Sequence, residues 1–110
     1  MVWGRAAWTF LHWASVRLPE AGVGDYKNLL VSTCMCLPCS DCSDHALEYI
    51  RQHPLTTITT KHDAVVYTYD FHNAVNTMTS ARPFSREMFK NLYKYSIGTD
   101  SSSHVPFKVV

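Results

Sequence analysis

The chain has 110 residues, with ten Lys+Arg against nine Asp+Glu for a formal charge of +1, and 46% of its residues are hydrophobic against 17% charged. That length supports one domain, and the composition is too apolar and too weakly charged for a disordered segment. The near-neutral balance lacks the basic surplus that nucleic acid or an anionic membrane surface demands, so neither is an expected partner.

The uncharged stretch near the start, residues 6–16, contains His12 and stops at Arg17, well short of the roughly 20 apolar residues of a membrane span. No small-residue cleavage site of a secretory leader follows it. Trp3, Ala7, Phe10, Leu11 and Ala14 recur at helical spacing, which predicts a first helix with Arg17 near its C-terminal end. A connector with Pro19, Gly22 and Gly24 follows, and Asp25 then caps a short second helix that buries Tyr26, Leu29 and Leu30 and ends near Thr33. Pro38 suits the first turn of a third helix running to about Gln52, with Cys39, Cys42, Ala46 and Tyr49 along one side. His53-Pro54 stops it, and the threonine-rich run 55–62 reads as a loop despite strand-like composition. Asp63 is the expected cap of a fourth helix, in which Val65, Tyr69, His72 and Asn76 share a face that mixes apolar and polar groups. Pro83 breaks the chain again, Ser85 caps a fifth helix, and Met88, Phe89, Leu92, Tyr93 and Ile97 form its apolar stripe. No segment alternates with period two between turn signals. The expected fold class is therefore all-α, a compact four-helix bundle plus a short fifth helix over residues 1–97, with a loose tail at 98–110.

All four cysteines fall between Cys34 and Cys42, an arrangement for chemistry rather than a distributed disulfide scaffold. Cys39-Ser40-Asp41-Cys42 is the sharpest feature. Its spacing lets the two sulfurs form a disulfide, and a helix N-terminus lowers a thiol pKa, so one cysteine can act as thiolate. The alternative is half of a zinc site completed by Cys34 and Cys36, or by His45 and His72, although no second C-x2-C or H-x3-H follows at the usual spacing. A thioredoxin-like C-x2-C would follow a strand in a βαβ unit, which this sequence does not offer. Two cysteines alone only exchange disulfides; a net oxidant needs a two-electron cofactor, and flavin meets that need. A cofactor-free exchanger remains a third reading.

Three segments in order then carry a resemblance. Trp3-Gly4-Arg5-Ala6-Ala7-Trp8-Thr9-Phe10-Leu11-His12, Leu37-Pro38-Cys39-Ser40-Asp41-Cys42-Ser43-Asp44-His45-Ala46 and Phe71-His72-Asn73-Ala74-Val75-Asn76 resemble the signatures of the Erv/ALR-type FAD-linked sulfhydryl oxidases. The likeness spans about nine tenths of the chain, and the small single domain looks most like members encoded by large double-stranded DNA viruses. It implies a helical bundle holding FAD at one end beside the C-x2-C, with Cys39 exchanging with a protein dithiol or a thioredoxin-like shuttle and Cys42 passing electrons to flavin and on to dioxygen, giving hydrogen peroxide. Trp3, Gly4, Arg5, Trp8 and His12 would line the cofactor pocket, with Cys42, His45, Tyr49, His72, Asn73, Val75 and Asn76 as its other walls. Arg82 is a candidate phosphate contact, and Tyr93 stands equally for the core and for the cofactor wall. The same likeness implies a homodimer, and the host cytoplasm or virion as its place.

The chain also departs from the family pattern. Tyr67 stands where cellular members carry tryptophan, Ala81-Arg82-Pro83 replaces a G-K-P, and no cysteine follows Cys42 to staple the C-terminal region, so that end needs another anchor. Cys34 and Cys36 form a C-x-C that is open to several roles: a shuttle, a resolving pair, an intersubunit bridge or two buried thiols. A bridge across so short a span is strained and hence oxidising, which makes the shuttle physically attractive.

Overall fold

A computed structural model describes residues 2–98, and side chains from Gly4 onward. Five helices follow one another: α1 (Val2–Arg17), α2 (Val23–Met35), α3 (Ser40–Gln52), α4 (Lys61–Met78) and α5 (Arg86–Tyr93), with single 3-10 turns at Glu20–Gly22 and Leu55–Thr57. No strand occurs among the described residues. None of these helices is long and apolar enough to cross a membrane. Apart from Gly98, the expected tail at 98–110 lies outside the described residues.

Each helix start has a local cause. At α4 the cap is Thr60 rather than Asp63. The Thr60 hydroxyl accepts from the Asp63 N–H at 3.0 Å, and the Asp63 carboxylate accepts from the Thr60 N–H at 3.1 Å, a reciprocal capping box that starts the helix earlier than expected. Ser85 caps α5 as predicted, its hydroxyl accepting from the Met88 N–H. Cys39 caps α3 through sulfur, which accepts from the Cys42 N–H at 3.2 Å. Helix α2 begins at Val23, directly after the first 3-10 turn, so Asp25 lies inside its first turn instead of capping it.

The central helix is α4, buried on two faces. One face, with Ala64, Tyr67, Phe71 and Ala74, joins Leu11 of α1, Tyr26 and Leu30 of α2, and Ala46 and Tyr49 of α3 in the main core. The other, with Val65 and Tyr69, joins Val16, Phe89, Tyr93 and Ile97, so α5 lies as a cover over α1 and α4. Three inner hydroxyls are paired. Thr68 donates to the Ala64 carbonyl at 2.8 Å, the Tyr26 hydroxyl donates to Thr68, and Tyr67 donates to the His53 carbonyl at 2.7 Å, fixing the end of α3.

Two apolar stripes differ from expectation. On α1, Phe10 is 52% exposed while His12 and Ser15 are buried, because the helix turns its histidine toward α4 and Ser15 donates back to the His12 carbonyl at 2.8 Å. On α5, Met88 and Leu92 are 45% and 58% exposed, and the helix ends at Tyr93 in a left-handed Lys94. Ile97 is buried from beyond the helix. Arg86 donates to the Ile97 carbonyl at 2.7 Å, and the Tyr95 hydroxyl lies 2.9 Å from His62 Nδ1. These contacts anchor the segment that has no disulfide to hold it.

Candidate redox and cofactor site

The cysteine pair opens α3 from the four-residue connector that leaves α2. Cys39 and Cys42 are half-buried and unbridged, whereas Ala46 and Tyr49, further along the same side, are buried. A thiolate was expected at one cysteine of the pair, and the Cys42 pKa is raised. Its hydrogen bond with Cys39 is the largest cause, followed by desolvation and the nearby charges of Cys39 and Asp41.

From Tyr49 an aromatic layer crosses the bundle. The Tyr49 ring stacks on Phe71 at 4.3 Å and 3°, and Phe71 meets Trp8 edge-on at 5.2 Å. Trp8 then stacks on the His72 imidazole at 4.4 Å and 8°. His72 Nδ1 lies 2.8 Å from His12 Nε2, a single hydrogen bond joining α4 to α1. Burial, then the neighbouring His72, pushes the His12 pKa down from 6.5 to about 3, and burial pushes His72 down to about 4. Both rings are therefore neutral at pH 7 and share one proton across the contact. The other ring nitrogen of His12, Nδ1, is buried with no hydrogen-bond partner among the described residues. A neutral polar atom stranded in this way costs free energy in the isolated chain.

Of the residues expected to hold a cofactor, the structure brings Trp8, His12 and His72 together. Tyr49 connects through Phe71, and Tyr93 lies 5.1 Å from the His12 ring. Val75 packs partly buried against the main core, Asn76 is half-buried nearby on α4, and Gly4 sits on α1 four residues before Trp8. Arg5, His45 and Arg82 are exposed, and the Trp3 side chain lies outside the described ones.

Asn73 has a structural task that its motif does not announce. Its Oδ1 accepts from the Phe84 N–H at 2.7 Å and its Nδ2 donates to the Phe84 carbonyl at 2.8 Å, a two-point clamp on the segment between α4 and α5. Phe84 is thereby held 5.5 Å from His72 and 5.9 Å from His12, ring centre to ring centre. Sequence reasoning missed Phe84 and Phe71 as site-forming residues. The signal available was aromatic density beside each motif, Phe71 directly before His72 and Phe84 directly after Pro83.

The C-x-C splits. Cys34 is 3% exposed on the inner side of α2, and burial pushes its thiol up to about 11. Cys36, two residues on, is exposed at the C-terminal cap. Positions two apart point to opposite sides of a helix, so this pair does not face itself. Nor do the cysteines converge with histidines: no group of three or more His, Cys, Asp or Glu among the described residues could hold a metal ion.

Comparison with known proteins places the chain in a family. Residues 5–94 match the Erv1 / Alr family. The chain is 30% and 29% identical over 99 residues to FAD-linked sulfhydryl oxidases from two isolates of African swine fever virus, covering 86% of this chain and 82% of theirs. It is also 38% identical over 55 residues to FAD-linked sulfhydryl oxidase ERV1 of Arabidopsis thaliana, covering 46% of this chain and 29% of that protein. Five helices, a cysteine pair opening α3 and a match that runs through all of them lead to one assignment: the chain belongs to the Erv1 / Alr family.

Proposed function

We propose that this chain is an FAD-linked sulfhydryl oxidase in which the Cys39–Cys42 pair oxidises dithiols in proteins. The observation that carries the reading is the cysteine pair at the head of α3, whose inward face runs through Tyr49 and Phe71 into the Trp8–His72 platform. The residues fit a flavin nucleotide on three counts. His12 Nδ1 is a buried polar atom in need of a partner. Trp8 and His72 stack as parallel rings, an aromatic surface of the kind a heteroaromatic ring packs on. Gly4 has nothing among the described residues within 4 Å of the place a Cβ would take, so packing within the chain gives no reason for glycine inside α1. Trp8, His12, His72 and Asn76 are the residues that would hold the group.

A flavin held there would supply two-electron transfer from a dithiol to dioxygen, with hydrogen peroxide as the product. The chain's own part is disulfide exchange. A substrate thiolate attacks Cys39 Sγ in the Cys39–Cys42 disulfide, a mixed disulfide forms and Cys42 leaves as thiolate; the second substrate thiol then displaces Cys39, and the substrate departs as a disulfide. Cys39 is the entry sulfur because it sits outside the first turn of α3, with Cys42 one turn further in. The buried histidines stay neutral and place no cation in the layer. Substrates of this chemistry are a protein dithiol or a thioredoxin-like shuttle, and a homodimer is the assembly that the family likeness suggests.

The visible absorption spectrum of the purified chain tests this reading. Flavin absorbance that bleaches with anaerobic dithiothreitol and returns in air is expected, and Cys42→Ser is expected to abolish the bleaching. Unchanged thiol-driven oxygen uptake in Cys39→Ser or Cys42→Ser would refute it.

A further inference from the structure

Cys36 belongs to none of the steps above, yet it is the most open thiol of the cluster and stands next to the pair that turns over. The connector from α2 to α3 is Cys36-Leu37-Pro38-Cys39. This is a second C-x2-C, and it shares Cys39 with the first. Cys36 forms the C-cap of α2, its backbone N–H bonded to the Ser32 and Thr33 carbonyls at 3.1 and 3.2 Å, and Cys39 forms the N-cap of α3. The two helices pack together, so the connector is a short bridge between neighbours. Three residue steps extend at most about 10 Å, and a disulfide needs its Cα atoms roughly 4.4–6.8 Å apart, within what a bent connector delivers. Cys39 has extended backbone angles, φ −131° and ψ 121°, at the junction between Cys36 on one side and Cys42 on the other. Cys34 cannot take this part, being buried in the main core on the opposite side of α2.

We infer that Cys36 is a third redox thiol that alternates with Cys42 as the disulfide partner of Cys39, giving the substrate an exposed Cys36–Cys39 disulfide to attack. The inference rests on the proposed oxidase reading and adds an outer stage to it. In that stage a substrate thiolate attacks Cys36 Sγ, the Cys36–Cys39 bond breaks and Cys39 leaves as thiolate. The second substrate thiol then forms the substrate disulfide and releases Cys36, leaving three thiols that hold the substrate's two electrons. The oxidase activity withdraws that pair from Cys39 and Cys42 and joins them as a disulfide. Cys36 thiolate next attacks Cys39, the Cys39–Cys42 bond breaks, Cys42 recovers a proton and the outer disulfide returns. This last exchange moves no net electrons and needs no further oxidant.

The test uses the full chain with FAD, air-oxidised, quenched in acid and alkylated before and after reduction, with each cysteine read by fragment mass spectrometry. Expected is a measurable fraction of molecules in which Cys42 is alkylated at the first step while Cys36 and Cys39 are protected. In Cys42→Ser exposed to oxidised glutathione, protection of Cys36 together with Cys39 and without glutathione attached is expected. Cys36→Ser should lower the ratio of turnover on a reduced protein to turnover on dithiothreitol by about tenfold. Cys36 fully alkylated at the first step in both oxidised proteins would overturn the outer stage while leaving the Cys39–Cys42 reading intact. Oxygen uptake that survives Cys39→Ser or Cys42→Ser would overturn both.

Discussion

Asn73→Ala separates a structural clamp from a cofactor contact. The substitution removes two hydrogen bonds to Phe84, at 2.7 and 2.8 Å, and leaves a partly buried N–H and carbonyl without their partner. At about 1 kcal/mol net for each bond, the apo-chain loses about 2 kcal/mol, which for a domain near 100 residues lowers Tm by roughly 8–16 °C. The loss is read by urea and thermal denaturation of the flavin-free protein, so cofactor binding cannot contribute. Because Phe84 packs beside both histidines, flavin affinity should also fall, as a secondary effect of the displaced segment. An apo-protein that melts within 2 °C of the wild type (a bound set by the same scale) but no longer retains flavin would show that Asn73 acts on the cofactor directly, and the clamp reasoning would be wrong.

Acid titration should report the histidine pair. Both imidazoles have folded pKa values, about 3 and about 4, below the unfolded 6.5, so the unfolded chain binds more protons in between and stability drains as pH falls from about 6.5 toward 4, by up to about 1.4 kcal/mol per pH unit for each ring. His72→Leu should roughly halve that slope in pH-dependent denaturation, and an unaltered slope would count against the pair. His72→Ala and Asn76→Ala should weaken FAD retention, measured by flavin released on ultrafiltration, more than they lower the apo-chain's Tm; the reverse order would remove them from the cofactor wall. Phe89→Ala, at a fully buried ring between α5 and the α1/α4 face, should cost about 3–5 kcal/mol and make α5 the first site of proteolysis.

Helix existence was legible because α1, α3 and α4 repeat their apolar positions with the helical period and begin at recognisable caps and breaks. The errors cluster where a polar group won a position that an apolar one should have taken. Phe10 yields the inside of α1 to His12 because the histidine has a partner on α4, and no local pattern reveals a contact sixty residues away. Asp63 was read as the cap of α4 although Thr60 holds that place; the two work as one box, and a sequence shows both halves without ranking them. Ile97 fits a helical stripe by spacing but reaches the core from a segment redirected by left-handed Lys94, a backbone angle that lysine does not advertise. Within the site, the motifs located Trp8, His12, His72 and the cysteine pair. The clamp that Asn73 makes on Phe84 was not legible, because an amide suits a backbone clamp and a ligand equally well and the motif carries no sign of Phe84 eleven residues on.

The anchoring of the C-terminal segment has a consequence for the conditions under which the molecule persists. Phe89, Ile97, the Arg86 contact with the Ile97 carbonyl and the Tyr95–His62 pair hold that end by burial and hydrogen bonds alone, and no cysteine lies outside positions 34–42. Scaffold and chemistry are therefore separated in kind. On the proposed reading, Cys39 and Cys42 open and close in every cycle without cutting a brace of the described bundle, and excess thiol that reduces every sulfur in the chain is expected to leave that architecture standing. If the proposed function holds, a chain that makes crosslinks for other proteins uses none among its described residues for its own shape.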